Sequence, residues 1–363
     1  MAEGVVFMSH FLESLVKDLD DENTTLAVDG KSSAEFSSFM DTGSYVLNAV
    51  LSGSLYGGVP NNKITAFAGE TSTGKTFFVL SVIAQFLKDN PEGGVIYFDT
   101  ESAVTNEMLQ ARNIPLHNLV KSEPDTIEKF RHTALQIVDR YLEQDPDERR
   151  PMLMVLDSLG QLSSTKEIED TAEGKETRDM TKAQVLKAAF RVLSLKLAKA
   201  GVPLLVTNHV YAVVGSYIPM KEMSGGSALK YSASLIALLS KRKERVDKEI
   251  TGNFIKVKME KSRISRENKE VEVLLRYETG LDRYYGLVDL GIEAGVFKKA
   301  GNRIQLPAPS STKVFEKHML ESPSEYFTPD VMDKIEEYAQ TEFKYGVWGE
   351  AEETEQVTDE PDE

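Results

Sequence analysis

At 363 residues, with 41% hydrophobic residues and no cysteine, the chain has room for one large α/β domain with small appendages and no means of building disulfides or thiolate metal sites. No run approaches the roughly 20 uninterrupted apolar residues of a membrane span, and the N-terminus lacks a signal peptide's cationic start and apolar core, so a cytoplasmic protein without a membrane partner is expected. The net charge of −16 argues against a nucleic-acid partner until its distribution is read: residues 347–363 hold eight acidic residues and no basic one, whereas residues 241–266 carry ten Lys and Arg against four Asp and Glu.

Residues 8–19 (SHFLESLVKDLD) have the apolar spacing of a short amphipathic helix, and the stretch from there to about 40 is polar and poorly patterned. From 44 onward, apolar runs at 64–68, Val95–Asp99, Met152–Asp157, Pro203–Asn208 and Leu235–Ser240 alternate with helix-period segments at 75–88, 124–143 and 180–200. This alternation predicts βαβ units and an α/β fold on a mostly parallel, doubly wound sheet. After 240 the pattern becomes one of short alternating strands at 254–261 and 270–277, read as antiparallel additions. A small unit of mixed helix and hairpin is expected over 286–346, ahead of an acidic, disordered tail at 347–363.

The most specific signal is ITAFAGETSTGKTF at 64–77, in which an apolar β-branched run leads through Gly69-x-x-x-x-Gly74-Lys75-Thr76 into an apolar helical stretch. Gly69 and Gly74 allow a tight turn that aims the N–H groups of Glu70, Thr71, Ser72 and Thr73 at phosphate oxygens. The first helical turn, with Phe77, adds its dipole. Lys75 is expected at the β- and γ-phosphates, and the Thr76 hydroxyl in the shell of a Mg²⁺ ion. The chain is thus expected to bind a nucleoside triphosphate.

In such sheets ligands gather at the carboxyl ends of strands. The strand at 95–99 runs into Thr100-Glu101, the strand at 152–157 ends in Asp157-Ser158, and the strand at 203–208 closes on Asn208-His209. Asp157 suits the second, water-mediated metal carboxylate, and Glu101 the base that orients and deprotonates an attacking water. Asn208 and His209 suit a sensor of the γ-phosphate. A helix cap, a surface glutamate and a satisfied core histidine are the plainer readings of the same residues. Two polar excursions, 159–179 and 210–224, leave adjacent strand ends. The first precedes a helix bearing Lys182, Lys187 and Arg191, and the second runs into Gly225-Gly226-Ser227. Loops flanked by cations suit a polymeric anion gripped along its backbone, surface loops being the alternative.

Read in order, DTGSYVLNAVLSG ahead of the phosphate loop, GETSTGKT (69–76), YFDTESAV (97–104), SEPDTIE (122–128), MVLDSLGQL (154–162) with KEIED (166–170), VTNH (206–209), SGGSALKYSAS (224–234), MEKSRI (259–264) and YYGLVDLGIEAGVFKKAGNRI (284–304) form an ordered set. That set resembles the RecA-type recombinases, most nearly their phage UvsX-like branch, over about residues 40–305. The resemblance implies a DNA-dependent ATPase that uses Mg²⁺ and ATP, forms a helical homo-filament on single-stranded DNA and pairs it with homologous double-stranded DNA. Glu101, Lys75 and His209 become the catalytic group. Lys261 and Arg263 fall where the family places two cations that reach the ATP of the adjacent subunit. Lys230 and Tyr231 fall near the same interface, and Lys187, Arg191, Gly225, Gly226 and Ser227 at contacts to single-strand phosphates. Met108 stands where bacterial members carry an aromatic near the adenine, and Arg263 where they carry lysine, a planar fork in place of a point charge. The implied organisation is an N-terminal helix and polymerisation linker (1–40), an ATPase core with two DNA-binding loops (41–285), a small C-terminal unit (286–346) and the tail. A single-strand-binding protein and a recombination mediator are further partners it admits, in the host-cell cytoplasm for a phage-encoded chain. The rival readings are a hexameric DNA helicase on the same core and a non-catalytic recombination mediator.

Overall fold

Strands buried on both faces read as near-continuous apolar runs, and 64–69, 94–99, 152–157 and 204–208 are such runs, polar mainly towards their carboxyl ends. In the computed structural model, which describes residues 10–19, 24, 26, 35–36, 38–175, 181–212, 221–224, 227–246 and 249–345, these runs form the middle of a large sheet. The chain opens with α1 (His10–Leu19), β1 (Phe39–Met40), α2 (Tyr45–Ser52) and β2 (Val59–Pro60). The alternating part follows as β3 (Ile64–Gly69), α3 (Lys75–Asp89), β4 (Gly94–Asp99), α4 (Asn106–Gln110), β5 (Leu119–Ser122), α5 (Ile127–Leu142), β6 (Met152–Asp157), α6 (Thr165–Ala172), α7 (Lys182–Ala200) and β7 (Leu204–Ala212). Next come β8 (Lys221–Met223), α8 (Ser227–Ser232), β9 (Leu235–Val246), β10 (Glu249–Ser262), β11 (Glu270–Arg276) and β12 (Gly280–Leu281). The C-terminal part holds α9 (Leu287–Glu293), β13 (Lys298–Ala300), β14 (Arg303–Gln305), β15 (Lys313–Val314), α10 (Glu316–Glu321), α11 (Pro323–Tyr326) and α12 (Pro329–Phe343).

Among the described residues the main sheet has ten strands, in the order β12-β11-β10-β9-β3-β7-β6-β4-β5, with β8 attached to β7. From β9 to β5 every pairing is parallel. The β9–β10–β11–β12 extension and the β7–β8 pair are antiparallel. Side chains alternate between two apolar cores. Phe67, Tyr97 and Val155 face α2 and α3, whereas Ala66, Ala68, Phe98, Met154 and Leu156 face α5 and α7 through Phe130 and Phe190. Ile335, Ala339 and Phe343 of α12 join the first of these cores, and Leu55 N–H donates to Glu336 Oε2 at 2.7 Å.

The parallel strands and the three helices lie where the apolar periodicity predicts them, within one to three residues at most ends. The differences have local causes. The excursion at 159–179 contains α6, nucleated by a capping box in which Ser164 accepts from Glu167 N–H and the Glu167 carboxylate accepts from Ser164 N–H. The excursion at 210–224 begins as the end of β7 and returns as β8, with Val210 opposite Met223. Gly225, Gly226 and the tail at 347–363 lie outside the described residues, as do 213–220 and much of 1–37. The helix expected at 8–19 is present over His10–Leu19 and leaves Phe11, Leu12, Leu15 and Leu19 exposed. Among the described residues no helix is long and apolar enough to cross a membrane.

One polar tie closes the α2 end of the sheet. Asp41 accepts from Arg283 at 2.6 Å, from Asn48 at 2.9 Å and from Gly43 N–H at 2.8 Å, while the guanidinium lies 4.1 Å from the Tyr45 ring centroid. Burial pushes the Asp41 carboxyl up, but Asn48, Gly43 and Arg283 together outweigh it and hold it below 3.8. A carboxyl held down by folding adds stability above its unfolded value and loses it as pH falls through the folded one. Asp41→Asn is therefore expected to lower stability by about 1–2 kcal/mol near neutral pH. In thermal melts the difference from wild type should shrink as pH falls below 3.8.

Candidate active site

The turn between β3 and α3 is built by its own polar groups. Thr73 Oγ1 donates to Glu70 O at 2.5 Å, and Gly74 takes φ 93°, in the left-handed region. A Cβ at Gly69 would lie 2.8 Å from Leu239 O, so the loop passes β9 at a distance only glycine permits. The buried Lys75 ammonium folds back onto Gly69 O at 3.1 Å and Glu70 O at 3.0 Å, with His209 Nδ1 3.4 Å away. Burial pulls this ammonium below its ordinary value, Asp157 and Glu101 oppose that, and Lys241 adds to it. Lys241, on β9, donates to Ser72 O at the loop's tip. Glu70, Thr71 and Ser72 are exposed. A polyphosphate fits this cradle: its oxygens would replace the two carbonyls now held by Lys75.

Beside the loop, the tips of β4, β6 and β7 converge. Register sets Asp99 opposite Asp157, and Gly69 opposite His209. The Asp157 carboxylate accepts from Tyr97 Oη at 2.7 Å on Oδ2 and from Thr207 Oγ1 on Oδ1. Burial, then the charge of Asp157 and the hydrogen bond to it, push the Tyr97 phenol well above its usual value, so it remains the donor. Asp99 caps the turn after its strand, accepting from Glu101 N–H at 3.2 Å, Ala103 N–H at 3.3 Å and Val104 N–H at 3.0 Å. Glu101 so placed accepts from Ser158 Oγ at 2.8 Å and lies 3.3 Å from His209 Nε2. Lysine has only donors and the carboxylate only acceptors, so a neutral His209 with its hydrogen on Nε2 satisfies both neighbours. Asn208 then links this group to the next segment: its Oδ1 accepts from His209 N–H and its Nδ2 donates to Ser224 O, both at 2.9 Å.

Among the described residues no cluster of three or more His, Asp or Glu could hold a metal ion alone. A Mg²⁺ ion arriving with a nucleotide would meet the Thr76 hydroxyl and the Asp157 carboxylate as oxygen ligands beside the phosphates and water. Phe77 and Met108 are bridged by Arg112, whose guanidinium is 4.2 Å from the Phe77 ring centroid and donates to Met108 O at 3.3 Å.

The remaining residues singled out in the sequence gather elsewhere. Lys261 donates to Ala233 O at 2.8 Å and Arg263 to Tyr231 O at 3.4 Å, so both cations cover the end of α8. Arg263 N–H bonds Ser234 O at 3.1 Å and Ser234 N–H bonds Ile64 O at 2.9 Å, which sets Arg263 level with the start of β3. The length of that strand, about 17 Å, separates it from the chain's own phosphate loop. Lys187 and Arg191 lie exposed one turn apart on α7, and Lys187 Nζ sits 5.2 Å from the Tyr231 ring centroid. Tyr231 is 64% exposed, and Lys230 lies 3.6 Å from Glu260. Ser227 begins α8.

Sequence reasoning missed Asp99, Ser158, Lys241, Tyr97 and Thr207. Asp99 had a signal, a carboxylate at a strand tip two residues before Glu101. Tyr97 and Thr207 occupy positions where alternation predicts core, and both residue types favour strands for their shape alone.

Residues 10–282 match the family of the RecA N-terminal domain. The chain is 27% identical over 258 residues to the recombination and repair protein of Enterobacteria phage T4, covering 71% of this chain and 64% of that protein. It is 32% identical over 267 residues to Protein RecA of Rhizobium leguminosarum bv. viciae, covering 72% of this chain and 71% of that one. With Protein RecA of Paracoccus denitrificans it shares 30% identity over 264 residues, or 72% and 70% of the two chains.

Removing Asp99 would leave three N–H groups of the turn without their acceptor. Asp99→Ala is expected to cost about 1–3 kcal/mol in a denaturant melt. Turnover of nucleotide should fall further than the population of folded protein does, since Glu101 loses its orientation.

Proposed function

The chain belongs to the RecA N-terminal domain family, and we propose that it works as a recombinase, a DNA-dependent ATPase that polymerises on single-stranded DNA and exchanges strands with a homologous duplex. The observation that carries this reading is the contact chain Lys75–His209–Glu101–Ser158, tied through Asn208 to Ser224. Such a chain joins the phosphate end of a nucleotide site to the segment that leads into Gly225-Gly226-Ser227.

In this reading ATP lies along Glu70–Phe77, and Lys75 exchanges its carbonyl partners for phosphate oxygens. Glu101 takes the proton of the attacking water as the new oxygen–phosphorus bond forms and the bond to the ADP oxygen breaks. Thr76 and, through water, Asp157 are the residues that would hold a Mg²⁺ ion, which would supply neutralisation of phosphate charge. His209 Nε2–H turns from Glu101 to the γ-phosphate when one is bound. Its backbone carbonyl accepts from Ser224 N–H at 2.9 Å, so a shift of the histidine moves the segment that grips DNA. Lys187, Arg191, Gly225, Gly226 and Ser227 hold single-strand phosphates, contacts that fix register without reading sequence.

Lys261 and Arg263 face away from their own loop, and an adjacent copy is the partner they suit. There they would place positive charge against the ATP of the neighbour, across a seam lined by Lys230 and Tyr231, so that hydrolysis is fast only within a polymer. Residues 41–285 then act as the ATPase core, 1–40 as the element that docks on the neighbour through the apolar face of α1, and 286–346 as a small C-terminal unit. The tail at 347–363 is the natural contact for a single-strand-binding protein or a mediator, and the host cytoplasm is where the chain acts.

ATPase assays with and without single-stranded DNA test the reading. DNA should stimulate wild type; absence of stimulation sinks the proposal. Lys75→Ala should abolish turnover, and Glu101→Gln should lower kcat about 10²–10⁴-fold. Lys261→Ala and Arg263→Ala should bind nucleotide yet lose the DNA-stimulated rate, with full turnover refuting their action across the seam. Negative-stain images with DNA and a slowly hydrolysed ATP analogue should show long helical filaments; closed rings would indicate a helicase, and neither form a mediator.

A further inference from the structure

The two oxygens of Asp157 are each claimed by a hydroxyl from a different flanking strand. β6 lies between β4 and β7 in the sheet. Asp157 stands opposite Asp99, two residues beyond Tyr97, and Leu156 stands opposite Val206, which sets Thr207 beside Asp157. All three side chains continue rows that face α3, those of Val95, of Leu153 with Val155, and of Leu205. Tyr97 and Thr207 are fully buried, and Asp157 is 5% exposed. In a row where Val or Leu would pack without a polar atom, a hydroxyl costs free energy unless it finds a partner. Both hydroxyls find theirs on this one carboxylate, Tyr97 Oη at 2.7 Å from Oδ2 and Thr207 on Oδ1.

We propose that Tyr97 and Thr207 are positioning residues that fix Asp157 as an outer-sphere anchor for the nucleotide-bound Mg²⁺. This rests on the reading of Asp157 given above as the water-mediated metal carboxylate. Each carboxylate oxygen has two lone-pair sites. One site on each is committed to a hydroxyl, which locks the rotation of the group. The other remains for a hydrogen donated by a metal-bound water, the shell Mg²⁺ is reluctant to shed. Partners of this kind beyond the ligands themselves govern metal affinity by roughly 10–100-fold.

The experiment titrates Mg²⁺ into the full chain with a fluorescent N-methylanthraniloyl ADP as probe, and measures probe affinity in EDTA separately. Wild type is compared with Asp157→Asn, Tyr97→Phe, Thr207→Val and Thr207→Ser, with melting midpoints as the folding control. Tyr97→Phe and Thr207→Val should each raise half-saturating Mg²⁺ by about 10-fold or more, with metal-free probe affinity unchanged. Thr207→Ser, which keeps the hydroxyl, should return the wild-type value, a rescue that a packing role alone would not produce. If Asp157→Asn raises the Mg²⁺ requirement while Tyr97→Phe and Thr207→Val do not, the positioning role is overturned and the metal role of Asp157 stands. If Asp157→Asn itself has no effect, the underlying reading falls and takes this one with it.

Discussion

A buried ammonium must have partners, and the way Lys75 finds them organises everything around it. Its charge sits at the junction of a strand and a helix, satisfied by two backbone carbonyls of its own turn and a histidine nitrogen from β7. Those partners are replaceable. Carbonyls are weaker counterparts for a cation than phosphate oxygens, so the loop is stable without a ligand and still prefers an anion. Because the histidine also faces Glu101, a change in what Lys75 binds alters the environment of that carboxylate.

The sheet makes that junction rigid. Parallel strands bring their carboxyl ends to one edge, where the register sets Asp99, Asp157 and Thr207 in one row and Gly69 and His209 two residues beyond it. Polar side chains are tolerated at these tips because the apolar cores end there. Just below the tips, Tyr97 and Thr207 turn their hydroxyls onto Asp157, which stands 5% exposed. Its burial is compensated by two hydroxyl donors and by the nearby lysine.

The parallel part of the fold was legible because its strands are buried on both faces and its helices carry a clear apolar stripe. Phosphate-loop residues were legible for a different reason, that glycine spacing there is dictated by backbone approach. Register and partners were not. Nothing in Tyr97 or Thr207 distinguishes a hydroxyl aimed at a carboxylate from a strand former chosen for its shape. Ser164 and Glu167, by contrast, did carry a cap signature, masked by the surrounding polar residues. The position of Lys261 and Arg263 far from their own loop follows from the antiparallel pairing of β10 with β9, a long-range match that local pattern does not encode.

That last placement has a geometric consequence. If the cations at one end of β3 serve the cradle of an adjacent copy, as proposed, head-to-tail addition lets every internal cradle be served, each copy presenting its rear to the front of the next. A row of copies built that way would have two unlike tips, one with an unserved cradle and one with unserved cations, so gain and loss of subunits need not proceed equally at both.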